Sequence, residues 1–270
     1  MIKQAIIPLA GLGTRLLPLT SVTPKELLPI NGKPGLEYIL EECIQAGINE
    51  IIFIISKKKE IIKKYFYNDK FYKSIINKKK NKRLLLEYNK IKKYKKMIKF
   101  VYQNKPLGTG DALLKCKKFI KSSHFLMLLP DDLITKHNCS KKMIKIHNQF
   151  NCNVIASKVV NKKDVSRWGI FDLKKINKNN FLINDVVEKP SIKSAPSNYA
   201  VIGRYILPVE IFKILKKQKP GKNGEIHITD AIRTLIHQDN KFIGHVFAGK
   251  YLDCGTMQGY VNSFTEIAKL

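Results

Sequence analysis

The chain lacks most of the features that organise other classes of protein. No apolar run in its 270 residues approaches the roughly 18–20 positions needed to span a bilayer, so no membrane segment is expected. The opening Met1-Ile-Lys-Gln4 carries no secretory apolar region and passes almost at once into a predicted strand, which points to the cytoplasm. The cysteines (Cys43, Cys116, Cys139, Cys152 and Cys254) are odd in number and form no C-x-x-C, which speaks against a disulfide framework and against a zinc site. Six histidines are scattered along the chain, none of them among the candidate site residues named below, and no nucleophilic triad is visible. Acid is scarce: 21 Asp and Glu stand against 50 Lys and Arg, a net charge of +29. Arginine is scarcer still, since only Arg15, Arg83, Arg167, Arg204 and Arg233 are not lysine among those 50. Specific nucleic-acid sites rely on arginine forks and interleaved aromatics. A lysine excess accompanied by Ile and Asn reads instead as a solvated face, with electrostatic recruitment of polyanions as the alternative.

The two common glycine fingerprints are also missing. Gly11 and Gly13 would need a third glycine at position 16 for a dinucleotide loop, and that position is Leu16. Gly13 is followed by Thr14-Arg15, not by the Lys-Ser/Thr of a P-loop. What is present is a short apolar strand, Gln4 to Pro8, running into a loop with Gly11, Gly13, Thr14 and Arg15, then on to Lys25 and Glu26. Glycines after a strand let backbone N–H groups approach phosphate oxygens, and Arg15 and Lys25 add fixed positive charge beside them. This predicts a nucleotide-phosphate loop at the carboxyl end of the first strand of an α/β sheet.

Gly35 to Ala46 has helical spacing and ends at Gly47; Glu50 to Ile55 is a continuous apolar run. Strand, helix and strand in that order predict a βαβ unit and a parallel sheet. Residues 57–97 read as lysine- and tyrosine-rich helices, and Ile98 to Tyr102 as a strand. A helix is expected over Ala112 to Ile120, a strand over His124 to Leu129, a helix over Lys141 to Phe150 and a strand over Asn153 to Val160. Beyond about residue 150 the chain turns strand-rich, with runs at 169–173, 181–187 and 199–207. Helices are then expected near 209–216 and 229–238, a single strand over His245 to Leu252, and a last helix from about Gln258. Lys216 to Gly224 is the most linker-like piece. The expectation is one domain over 1–270: a Rossmann-like, mixed and mostly parallel sheet flanked by helices. Residues 1–150 would form a nucleotide-binding half, and 151–270 a strand-rich sugar-phosphate half.

Three further stretches carry polar residues at strand ends. Gln103 to Ala112 is a second glycine turn before a helix. Asp131 and Asp132 follow the run ending at Leu129, and Glu188-Lys189-Pro190 follows another. Asp131 and Asp253 each follow an apolar run, so both are expected to leave the carboxyl edge of one sheet toward one crevice. Mg²⁺ takes one or two carboxylates, with waters and phosphates completing its shell. Taken singly, each stretch could equally be a turn or a cap.

The string Ala10-Gly-Leu-Gly-Thr-Arg15, then Leu17-Pro18, Thr20 and Pro24-Lys-Glu-Leu-Leu-Pro29, resembles the sugar-nucleotide pyrophosphorylases. Within them it resembles the bacterial UTP–glucose-1-phosphate uridylyltransferases. The related thymidylyltransferases typically carry Lys-Gln where this chain has Lys25-Glu26. The resemblance implies that Ala10, Gly11, Glu26, Gln103 and Gly108 face the nucleobase, within a nucleotide site that includes Gly13 and Thr14. It implies Asp131 as a Mg²⁺ ligand, Asp132 bordering the sugar, Glu188 accepting from glucose hydroxyls and Lys189 holding the sugar phosphate. Trp168-Gly169 stands where the family has a sugar-side Tyr-Gly; Gly169 keeps the close approach and the ring differs. The strings 195–198, 201–205 and 225–231 extend the match over nearly the whole chain. The implied chemistry is uridylyl transfer from UTP to glucose 1-phosphate in a homo-oligomer, dimer or tetramer, with no specific nucleic acid and no membrane. The rivals are a thymidylyl- or cytidylyltransferase and, more remotely, an inactive fold that binds nucleic acid.

Overall fold

The computed structural model describes residues 2–79, 81–221 and 224–270. Met1, Lys80 of the Lys78–Lys80 run, and Lys222 and Asn223 of the linker-like stretch lie outside the described residues. In chain order, β1 (Gln4–Pro8) leads through short 3-10 turns to β2 (Pro29–Ile30), β3 (Lys33–Pro34), α1 (Gly35–Gln45) and β4 (Glu50–Ile55). The lysine-rich excursion is α2 (Glu60–Tyr67), α3 (Asp69–Lys79) and α4 (Lys82–Met97), returning as β5 (Ile98–Tyr102). Then come α5 (Thr109–Leu114), β6 (His124–Leu128), β7 (Asp132–Thr135), α6 (Cys139–Phe150) and β8 (Asn153–Val159). The last part holds β9 (Gly169–Lys175), β10 (Asn180–Glu188), β11 (Tyr199–Pro208), α7 (Ile211–Lys217) and α8 (Ile228–His237). It closes with β12 (Phe242–Val246), β13 (Lys250–Asp253) and α9 (Met257–Ala268).

Nine strands form one sheet in the order β5-β4-β1-β6-β11-β8-β12-β10-β9. Pairing is parallel from β5 to β6, as the βαβ reading requires. β11 enters antiparallel to both β6 and β8, and β10 is antiparallel to β12 and β9. The sheet is therefore mixed. A further contact, Ala200 opposite Ile170, joins β11 to β9, so the strand-rich half curls back on itself.

Strand alternation divides the core between two helical layers. Ala5, Ile7, Ile51, Phe53 and Ile55 join the layer that includes Leu36, Leu40 and Met143. Ile6, Ile52 and Ile54 join the layer that includes Leu113, Leu215 and Leu235. Strands buried on both faces explain the unbroken apolar runs of the sequence. α1 ends with the Gly47 N–H on the Ile44 carbonyl and the Ile48 N–H on the Cys43 carbonyl, the bonding of a Schellman motif. Among the described residues no helix is long and apolar enough to cross a membrane.

Two expectations are corrected. The helix placed over Ala112 to Ile120 is shorter and starts earlier, at Thr109, with only a 3-10 turn at 117–119 behind it. The single strand expected over His245 to Leu252 is two. β12 belongs to the large sheet, whereas β13 pairs with β7 in a separate ribbon that places Asp253 opposite Asp132. Asp131 and Asp253 therefore converge from different sheets, not from one carboxyl edge.

Arg204 lies fully buried within β11. Its Nε donates to both Glu42 oxygens at 3.1 Å and its Nη2 to Oε2 at 2.8 Å, while Nη1 donates to the carbonyls of Leu129 and Gly203 at 3.2 Å. Glu42, on α1, also accepts from the Ser140 hydroxyl at 2.5 Å. Arg204→Met strands a buried carboxylate and should cost about 3–5 kcal/mol in urea unfolding, most of which Glu42→Leu added to it should restore. A double variant as unstable as the single one would contradict this account of the pair.

Candidate active site

β1 ends at the floor of a cavity of about 390 Å³. From Ala10 to Arg15 no backbone N–H hydrogen-bonds within the described residues. The loop is held instead through carbonyls: Gly13 O accepts from Thr20 Oγ1 at 2.8 Å and from the Leu16 N–H at 2.9 Å, and Thr14 O from the Leu17 N–H at 3.3 Å. A run of unpaired amides at a strand end is an anion cradle, and Gly11, Gly13, Thr14 and Lys25 line the same cavity.

The other end of this cavity is built by Ala10, Glu26, Gln103 and Gly108. Gly108 has φ +94, and a Cβ there would lie 2.6 Å from Ile226 O, so only glycine lets the chain pass. Gln103 is buried; its amide nitrogen donates to Gly108 O at 3.1 Å and to Asp111 Oδ2 at 2.8 Å. Both amide hydrogens are thus committed, and the amide offers the cavity an acceptor rather than a donor and acceptor together. Glu26 is buried too, and both its oxygens accept from Lys59 Nζ at 2.8 Å. Burial lowers the Lys59 ammonium and Glu26 only partly offsets this, leaving its pKa below the usual lysine value.

Charge concentrates where this cavity meets a second, of about 540 Å³. Asp131 lines both. Lys25 Nζ lies 2.6 Å from Asp131 Oδ2, and Arg15 Nη2 lies 3.8 Å from it. Burial alone would raise the Asp131 carboxyl, but Lys25 outweighs it and holds the pKa below the ordinary value. Burial would likewise lower Lys25, and Asp131 followed by Glu26 raises it instead. Asp253 reaches the same point from β13: the Cys254 N–H donates to Asp131 O at 2.7 Å, and the Gly255 N–H to Asp253 Oδ1 at 2.8 Å. A Cβ on Gly255 would lie 2.8 Å from Asp131 Oδ2 and 3.0 Å from Asp253 Oδ1, so the sum of those distances bounds the gap between the two oxygens. Two aspartates this close suit a hard cation that completes its shell with water and phosphate. Among the described residues no group of three or more His, Cys, Asp or Glu forms a ready-made metal cage.

The second cavity is lined by Arg15, Asp132, Gly169, Glu188, Lys189 and Asp253. All the residues expected from the sequence therefore line one or other of two adjoining cavities. Asp132 has its oxygens committed, Oδ1 to Tyr251 OH at 2.6 Å and Oδ2 to the Gly203 N–H at 2.9 Å, so it ties β7 to β11 and β13 as well as bordering the cavity. Lys189 is exposed, with its backbone in the left-handed region at φ +47 and its N–H on Trp168 O at 3.0 Å. Such backbone costs a residue with a Cβ about 1–2 kcal/mol. Arg167, 3.3 Å from Asp253 Oδ2, and Tyr251, Lys59 and Asp111 were not singled out from the sequence.

The chain belongs to the nucleotidyl transferase family, whose model matches residues 4–269. More narrowly, it is 39% identical over 269 residues to a UTP–glucose-1-phosphate uridylyltransferase of Staphylococcus saprophyticus, covering 99% of this chain and 92% of that one. A UDP-glucose pyrophosphorylase solved in complex with UDP-glucose superimposes with a TM-score of 0.88 at 36% identity, covering 100% of this chain and 99% of that one. A UTP-bound enzyme of the same kind from Acinetobacter baumannii gives 0.90 at 32% identity, covering 99% and 93%.

Burial first, and Asp131 next, push the Asp132 carboxyl up to about 6. Above that pH the ionised group costs folding stability. The cost is relieved as pH falls from about 6 toward the unfolded value, because there the folded state binds the extra proton. Carbon-13 NMR should show an aspartate titrating near pH 6, shifted upward by Tyr251→Phe, which removes a donor to the ionised form. An Asp132 signal with an ordinary aspartate midpoint would contradict this.

Proposed function

We propose that this protein transfers the uridylyl group of UTP to glucose 1-phosphate, forming UDP-glucose and pyrophosphate. The observation that carries the reading is the junction at Asp131. A cradle of unpaired amides opens on one side of it, and a cavity lined by Glu188 and Lys189 on the other. A triphosphate on the amides and a sugar phosphate near Lys189 would bring the two reacting groups together there. The sugar-phosphate oxygen attacks the α-phosphorus in line, the bond to the β-phosphate oxygen breaks, and pyrophosphate leaves; no proton transfer is required. Such transfers depend on positioning and charge neutralisation. Arg15 and Lys25 neutralise the triphosphate, and Lys189 orients the attacking phosphate as a point charge. Glu188 accepts from sugar hydroxyls, and Gly169 keeps the cavity wall flat beside it. Asp131 and Asp253 would hold Mg²⁺, which when bound neutralises phosphate charge. The five free cysteines accord with a reducing, cytoplasmic setting. A homo-oligomer remains part of the proposal.

Pyrophosphate release should be fast with UTP and glucose 1-phosphate and far slower with dTTP or CTP; equal use of dTTP would favour the thymidylyl alternative. Lys189→Ala should lower kcat/KM by roughly 30- to 1000-fold with the fold intact, the effect of losing one charge contact worth about 2–4 kcal/mol. Near-normal turnover would remove Lys189 from the mechanism.

Asp131→Asn and Asp253→Asn should each lower Mg²⁺-dependent turnover steeply but measurably, Asp253→Asn with the thermal transition nearly in place and Asp131→Asn with it lowered, because Lys25 loses its partner carboxylate. The double variant should lose no more than either single one, since groups acting as a unit are not additive. Additive losses would separate their roles.

A further inference from the structure

Gln103 and Asp111 stand eight positions apart, at the end of β5 and in the first turn of α5. Both are buried, at 5% and 6% exposure. An amide side chain by itself does not discriminate between pyrimidines, because a half-turn exchanges its donor and acceptor ends. Here the half-turn is blocked. Gly108 O and Asp111 Oδ2 are acceptors only, and both take hydrogen bonds from the Gln103 nitrogen. Turning the amide would set its oxygen against a carbonyl and a carboxylate. Gln103 Oε1 has no partner among the described residues, and Gln103 lines the cavity.

We propose that Asp111 sets nucleobase selectivity by locking the Gln103 amide so that it presents only its carbonyl oxygen to the base. The inference rests on the uridylyl reading and deepens it. Uracil offers an N3–H, which the fixed oxygen accepts. Cytosine offers a bare N3, which would face another acceptor and leave two buried lone pairs opposed. The Gly108 N–H, unpaired among the described residues, is available to a base carbonyl. The device therefore selects the imide edge shared by uracil and thymine and rejects cytosine. Asp111 acts only through Gln103 and is a positioning residue. Its other oxygen meets Lys115 Nζ at 3.1 Å on the helix surface, a contact outside the cavity.

The test compares kcat/KM for UTP and CTP, with glucose 1-phosphate, in the unaltered protein and in Asp111→Ala, Asp111→Asn and Lys115→Ala. Asp111→Ala should lower the UTP-to-CTP ratio about tenfold or more, chiefly through KM for UTP. Asp111→Asn retains an acceptor and should stay within about threefold of the unaltered ratio, as should Lys115→Ala. An equal fall for both nucleotides, with the ratio intact, would mark Asp111 as merely structural and overturn the proposal. Nitrogen-15 NMR of the Gln103 side-chain amide gives a readout independent of turnover and of whether Asp111→Ala folds. Two slowly exchanging protons are expected in the unaltered protein, and a freely exchanging pair would also overturn the proposal. Equal use of CTP and UTP with a locked amide would overturn the proposal as well, whereas a locked amide in a protein that turns over neither UTP nor CTP with glucose 1-phosphate would defeat the uridylyl reading.

Discussion

The arrangement of the site depends on one buried ion pair. Arg204 occupies the middle of the nine-stranded sheet, where no water can solvate it, and Glu42 faces it from α1 with three short contacts. Desolvating two charges consumes most of what their attraction returns, so the pair contributes more to uniqueness than to stability. What it specifies is geometric. The remaining guanidinium nitrogen grips the carbonyls of Leu129 and Gly203, fixing the chain just before Asp131 and Asp132. The Gly203 N–H then holds Asp132, and Tyr251 brings the β7–β13 ribbon onto the same carboxylate. Through that ribbon Asp253 is carried to Asp131. A slip of β11 by one residue would turn Arg204 away from Glu42 and release the whole assembly.

Much of this was legible in the sequence where a pattern repeats. The unbroken run Glu50 to Ile55 could only be a strand buried on both faces, and its bounds match β4. The glycine-bearing loop after β1 was legible because free amides beside basic residues have few other uses. The remainder was hidden wherever tertiary position, not local chemistry, decides burial. Lys59 is the third of three consecutive lysines; the first two are exposed, and it is buried against Glu26. Glu42 follows Glu41, and only Glu42 meets Arg204. Nothing in either run marks the exception. His245 to Leu252 reads as one strand because its break contains no proline, yet Gly249 at φ +102 turns the chain out of one sheet and into another. β7 is not legible because it is only four residues long and begins on the second of two adjacent aspartates, which read as site residues.

The net charge of +29 and the site's own electrostatics are separate matters. Inside the site bases and acids alternate: Lys59 with Glu26, Lys25 with Asp131, Arg167 with Asp253. Each of these three cations meets a carboxylate before any substrate arrives, and Arg15 shares Asp131 with Lys25. The excess lies on the surface, much of it on α2 to α4, whose buried residues are Ile62, Phe66, Tyr88, Ile91 and Tyr94 and most of whose lysines are exposed, Lys90 turning inward to Glu37 and Glu41. Such a field raises the local concentration of anions and the rate at which a nucleotide triphosphate arrives. It is screened beyond about 8 Å at physiological salt, whereas contacts of 2.6–2.8 Å in a buried cleft are not. Surface lysines can therefore come and go with little consequence for which nucleotide is chosen. The choice is made by paired, short-range groups that the surface charge does not reach.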